Sequence, residues 1–196
     1  MAEGFFYLPL TEELKARITG LSYPSPGEEC LIDYEQLCYI RLRYVDFEGV
    51  EHENGELIVN AALAEEVTRI FYELYLAKYP FTSVLLVDEF GEKADDNASM
   101  AANNTSAFNY RLVAGTSSLS RHSYGAAIDC NPLYNPYLHD GSISPPEGAP
   151  YADREKDFPG KIDHADLAYQ LFTQAGWLWG GDWKSPDYQH FYKVLD

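Results

Sequence analysis

Cysteine is scarce: Cys30, Cys38 and Cys130 are the whole complement of a 196-residue chain. Three thiols do not make the disulfide framework of a small secreted scaffold, and without a Cys-x-x-Cys pair nothing suggests a structural zinc site. Cys30 and Cys38 could pair, although the strand-like surroundings of Cys38 favour a small buried thiol. Basic residues are few as well, 14 Lys and Arg against 31 Asp and Glu, for a formal charge of −17. So acidic a surface repels phosphate backbones and anionic lipid, which argues against nucleic acid and membrane surfaces as partners. It weakly favours divalent cations, although most of it is solvated surface. No apolar run approaches the roughly 20 residues that a spanning helix needs. The opening Met-Ala-Glu-Gly-Phe-Phe lacks a basic region followed by an apolar stretch, so no export signal is expected in this chain. Gly-rich phosphate loops and Gly-x-Ser-x-Gly elbows are missing too.

Aromatics are abundant, with 16 Tyr, 10 Phe and 3 Trp. That supply, in a chain of one-domain size, supports a single compact core and leaves tyrosines for the walls of a cleft. Residues 1–30 are expected to form an extension, with a short helix after Thr11 stopping at Gly20 and a Pro/Gly-rich link. From Leu37, Cys38, Ile40, Leu42 and Tyr44 alternate with Arg41 and Arg43, the pattern of a half-buried strand. Asn54-Gly55 suits a hairpin turn, with Leu57–Val59 returning. Asn60 caps a helix carrying Leu63, Val67, Ile70, Phe71, Leu74 and Tyr75 at helical spacing, and Pro80 ends it. Strands are expected at 81–87, 105–112 and 126–129, with a polar loop at 88–99. Residues 131–160, rich in Pro, Gly, Tyr and Asn, predict a long irregular excursion. A last helix opens near Asp163 and stops at Gly176, before closing strands at 177–179 and 190–194. Antiparallel-type strands mixed with two good helices make the class α+β.

Two segments carry chemistry. In Ser120-Arg-His-Ser-Tyr-Gly-Ala-Ala-Ile-Asp129, His122 and Asp129 are nitrogen and oxygen ligand types acceptable to Zn2+. Gly125 permits a tight turn between them. Asp129 ends an apolar strand, where its charge is costly unless paired, hydrogen-bonded or bound to a cation. Alone, this pair is weak evidence for a metal and reads more readily as a capped turn and a structural carboxylate. The second segment is Trp177-Leu-Trp-Gly-Gly-Asp-Trp183 followed by Asp187-Tyr-Gln-His190-Phe191. A catalytic zinc site needs three protein ligands, an open position and a base that is not a ligand. His190 completes that set and Asp187 serves as the base. Taken alone, the three tryptophans are core aromatics and His190 a satisfied core histidine. Asp88, Glu89, Asp95 and Asp96 lack the spacing of a calcium loop and are expected to be solvated. His52, His139 and His164 are expected at the surface.

Together the two segments closely resemble the zinc metallopeptidases that include D-alanyl-D-alanine carboxypeptidases, the vancomycin-resistance dipeptidases and phage L-alanyl-D-glutamate endolysins. The first family pattern, Ser-x-His-x-x-Gly-x-Ala-x-Asp, is met by Ser120, His122, Gly125, Ala127 and Asp129. The second, an acid three places before a His-aromatic pair and often after Trp-Gly-Gly-x-Trp, is met by Trp179, Gly180, Gly181, Trp183, Asp187, His190 and Phe191. Residues 103–111 look like the stretch that precedes the first motif in one branch. The resemblance spans roughly residues 35–196, so that 31–196 is the expected catalytic domain. It implies zinc held by His122, Asp129 and His190, and a water activated by the metal that loses its proton to Asp187. Many relatives carry Glu in that last role. Arg111 is implied to steady substrate or share the oxyanion charge, Trp183 to contact substrate, and Ser120 either to hydrogen-bond substrate or to cap the turn. The implied fold is the small α+β type shared with Hedgehog signalling domains, a central antiparallel sheet flanked by helices. The implied substrates are peptidoglycan stem peptides, which places the enzyme outside the cell or at the envelope, and a monomer is expected. The rival readings are an inactive zinc-containing wall-binding protein of the same fold, and a glycan-binding module built on the tryptophans.

Overall fold

The computed structural model describes residues 3–113 and 115–195. Strand β1 (Phe6–Pro9) leads into helix α1 (Glu12–Ile18), whose Thr11 cap accepts the Leu14 amide. Strands β2 (Leu37–Val45) and β3 (Glu51–Asn60) form a hairpin, and β1 pairs antiparallel with β2. The reversal between β2 and β3 is at 46–50, where Asp46 Oδ1 accepts the amides of Glu48 and Val50 and Gly49 has φ +79°. Asn54-Gly55 therefore does not turn the chain, contrary to the expectation. Gly55 lies inside β3 opposite Leu42, and a Cβ there would meet the Leu42 carbonyl oxygen at 2.9 Å. The glycine serves close strand packing at a register irregularity rather than a positive φ.

Asn60 caps the next helix through a 3-10 turn, its Oδ1 accepting the Ala62 amide, and α2 runs over Ala64–Leu76. Lys78 is left-handed and the Tyr79 amide returns to the Leu74 carbonyl, which closes the helix before Pro80. The strand expected at 81–87 is only β4 (Ser83–Val84), parallel to β5 (Asn104–Thr105). The expected loop at 88–99 contains helix α3 (Asp96–Ala101), capped by Asp95. Next come β6 (Ala127–Asp129), a small hairpin of β7 (Tyr137–His139) and β8 (Ser142–Ser144), helix α4 (Leu167–Gln174), β9 (Leu178–Trp179) and β10 (His190–Tyr192).

The antiparallel α+β expectation holds, with the main strands split between two three-stranded sheets, β1-β2-β3 and β6-β10-β9. One core joins them: Ile40, Leu42, Leu57 and Val59 of the first sheet and Ile128 and Phe191 of the second pack with Phe71 of α2 and Phe172 of α4. The other face of β2 and β3 is covered as well. Leu37, Tyr39 and Ile58 pack with Leu10, Ile18, Tyr23, Ile32 and Phe108. Strand β2 is accordingly buried on both faces over 37–40 and half-buried only around Arg41 and Arg43. Residues 3–30, expected as an extension, supply Phe5 to the main core and Leu10, Ile18 and Tyr23 to the second cluster.

Candidate metal centre

Asp129 and His190 stand directly opposite each other across β6 and β10. Asp129 exchanges its backbone bonds with Ser106, while Cys130 N–H donates to the Gln189 carbonyl. The 129/190 pair is thus the non-hydrogen-bonded type, in which facing side chains approach most closely. His190 Nδ1 lies 2.8 Å from Asp129 Oδ1.

His122 arrives from a 3-10 turn over Arg121–Tyr124, opened by Ser120, whose Oγ accepts the His122 amide. Gly125 closes that turn with φ +62°, and its carbonyl accepts the Asn60 amide at 2.8 Å. A Cβ at 125 would stand on the backbone of Val59 and Asn60, with the Val59 carbonyl carbon at 2.7 Å. The turn is pressed against the end of β3, which sets the depth of His122. The ring is oriented by the Ala107 carbonyl, to which Nδ1–H donates. That tautomer leaves the Nε2 lone pair facing inward, 3.1 Å from Asp129 Oδ2 and 3.2 Å from His190 Nδ1.

All three residues are buried, and their ligand atoms lie within 4.8 Å of one another; among the described residues they are the group that could hold a metal ion. Tetrahedral Zn2+ with bonds of about 2.0–2.1 Å places its ligand atoms about 3.3 Å apart. The closest separations here, 2.8, 3.1 and 3.2 Å, approach that figure. Burial works against charge on Asp129, yet the two imidazoles hold its carboxyl well below the usual carboxylate range. Burial also opposes protonation of His122, and the Asp129 charge outweighs it and raises the imidazole. Two imidazoles and an ionised carboxylate aimed at one point are the donor chemistry of a borderline cation.

Asp187 sits beside this cluster on a seat made by Gly180. Its N–H donates to the Gly180 carbonyl, and a Cβ at 180 would meet the Asp187 carbonyl oxygen at 2.7 Å. At Gly181 a Cβ would strike the Trp179 ring. Asp187 Oδ1 is buried with no hydrogen-bond partner among the described residues. Burial is the main force on its carboxyl and, with the nearby Asp129 charge, pushes it up to about 7 against the opposing pull of His190, Gln189 and Arg111. The 131–160 excursion, irregular as expected apart from β7, β8 and a 3-10 turn, braces this segment. Leu138 N–H donates to the Pro186 carbonyl. Arg154 bonds the carbonyls of Tyr134 and Ile162 and lies 4.3 Å over the Tyr188 ring.

The remaining predicted residues divide. Trp183 is 40% exposed, 5.5 Å from the His190 ring, whereas Trp177 and Trp179 are core residues. Ser120 is buried, with its oxygen occupied as a cap. Arg111 is pulled toward Asp96, with Nη2 to Oδ2 at 2.7 Å. Its charge nevertheless reaches His122 and Asp187. Of the acids expected to be solvated, Glu89 and Asp95 are exposed, while Asp88 and Asp96 are half-buried; Asp88 accepts the Ser22 amide, Glu89 pairs with Arg17, Asp95 caps α3 and Asp96 pairs with Arg111. The Ala107 carbonyl and Asp96 escaped the sequence reading. The first is main chain, and the second meets its partner only through tertiary folding.

The fold and site together define an α+β protein with a buried His-Asp-His cluster able to hold a metal ion. A family model described as D-alanyl-D-alanine carboxypeptidase matches residues 114–193, a stretch that contains the cluster and Asp187 and covers fewer than half of the 196 residues. No curated protein and no solved structure matches the chain.

Proposed function

We propose that the protein is a zinc-dependent peptidase of the D-alanyl-D-alanine carboxypeptidase type that acts on peptidoglycan stem peptides at the cell envelope. The observation that carries this reading is the convergence of His122, Asp129 and His190 beside Asp187, whose buried Oδ1 has no partner among the described residues, all inside the matched segment. His122, Asp129 and His190 would hold the metal, and a bound Zn2+ would supply Lewis acidity toward the peptide carbonyl and toward water. Asp187 takes the proton of the attacking water and returns it to the departing amine. The Gly180 seat and the Arg154–Tyr188 brace keep the carboxylate in reach of that water. Trp183 walls the entrance with its exposed ring, Ser120 fixes the backbone of His122, and Arg111 meets the oxygen that gains charge.

The test is single-turnover release of D-Ala from a stem pentapeptide by the zinc-loaded protein. Asp187→Ala is expected to slow release by about 10²–10⁴-fold while zinc stays bound. Equal rates for the two proteins would remove Asp187 from the mechanism. A wild type that retains zinc and cleaves no stem peptide would point instead to a wall-binding role.

A further inference from the structure

Arg111 is held from three sides before any ligand arrives. Its N–H donates to Ser123 Oγ at 3.0 Å, the Ser123 hydroxyl donates back to the Arg111 carbonyl at 2.8 Å, and the Ser120 amide donates to the same carbonyl. Ser120 and Ser123 flank His122, so the main chain at 111 is tied to the turn that delivers an imidazole to the cluster. The long side chain is left to be fixed by Asp96. Asp96 Oδ2 takes Nη2 at 2.7 Å, and Oδ1 accepts Asn109 Nδ2 at 3.4 Å. Asp96 opens helix α3, whose Asp95 cap accepts the amides of Asn97 and Ala98. Both partners of the ion pair are half-buried, so the contact is less screened than one between exposed side chains. Nε remains buried with no hydrogen-bond partner among the described residues. A charged donor in that state is costly unless an acceptor comes from outside the chain.

We propose that Asp96 is the positioning residue for Arg111, taking one edge of the guanidinium and leaving the Nε–H to donate to an oxygen of the peptide substrate. This rests on the peptidase reading above. An arginine side chain has many rotamers, and freezing one before substrate binds removes that cost from the bound complex. Asp96 reaches no substrate itself and acts through Arg111.

Two measurements on the full chain test this. In a double-mutant cycle on stem pentapeptide, Asp96→Ala is expected to lower kcat/KM about 10- to 100-fold in the zinc-loaded protein and to do nothing further once Arg111→Ala is present. An equal loss in both backgrounds overturns the proposal. The second measurement needs no activity. In the metal-free protein, the 15N spectrum is expected to show a resolved, slowly exchanging Arg111 Nε–H signal, which broadens or vanishes in Asp96→Ala while the backbone amides elsewhere are unmoved. Partial recovery in Asp96→Glu supports the same hold. An Nε–H signal identical in wild type and Asp96→Ala overturns the proposal. A signal that collapses in a protein whose wild type cleaves no stem peptide supports the hold on Arg111 and removes only the peptidase reading.

Discussion

At position 125 a side chain of any size meets backbone. Gly125 combines φ +62° with a contact against Val59 and Asn60 that leaves no room for a Cβ. Gly125→Ala is expected to cost about 2–5 kcal/mol, from the left-handed conformation and from overpacking. Because the same turn delivers His122, zinc affinity should fall with stability. Urea denaturation and a zinc titration check both, and a variant that loses neither would show that the turn can shift away from β3. The local pair Ser120–Gly125 was legible in the sequence, since a hydroxyl cap and a glycine stop are local chemistry. The Ala107 carbonyl that orients the ring was not, because a main-chain acceptor carries no residue signature.

Helix α4 shows what an element carries beyond its periodicity. Its N-cap, Asp166, accepts the amides of Ala168 and Tyr169 and the Tyr79 hydroxyl. Burial is the main force on its carboxyl, which is pushed up to about 6 despite those donors. The folded value lies above the unfolded one, so wild type is most stable when Asp166 is protonated and loses stability as pH rises from about 4 through 6. Asp166→Asn keeps the acceptor and removes the charge. It should therefore raise Tm above pH 6, with the gain fading to nothing by about pH 4. A gain on the order of 1–2 kcal/mol, about 3–6 °C in a chain of this size, allows for solvent screening. Thermal melts at pH 4, 6 and 8 check the sign, and a gain that grows toward low pH would contradict it. The helix start at Asn60 was visible from its cap residue and apolar spacing, whereas the last helix, expected to open near Asp163, is capped three residues later by Asp166. The turn between β2 and β3 was misplaced because Asn54-Gly55 has turn chemistry, while Asp46 outcompetes it by binding two amides at once.

For the whole molecule, the site draws Asp129 and His190 from one sheet, His122 from the turn over 121–124 and Asp187 from the segment before β10. A metal that binds only the folded arrangement stabilises the whole chain. At a free zinc concentration about 1,000 times Kd, the expected gain is about 4 kcal/mol, on the order of 10 °C in Tm. Chelation should reverse it, and His122→Ala should abolish it. Because the imidazoles must be neutral to bind, and His122 is raised above its ordinary value by the Asp129 charge, the zinc-dependent gain should already shrink as pH falls below neutral. A Tm indifferent to zinc in wild type would remove the metal from the reading.

The residue types and short spacings of the chain determined the α+β class and the main helices, because caps, turns and periodicity act over a few residues, while it was the resemblance of the two motifs to a metallopeptidase family that singled out His122, Asp129 and His190 as a ligand set. Tertiary structure alone decided that Asp129 and His190 face each other as a close cross-strand pair, that Asp96 holds Arg111, and that residues 3–30 cover the second face of β2 and β3. These contacts join positions far apart in the chain or on separate elements, and their energy comes from burial and pairing that exist only once the sheets have closed on one core.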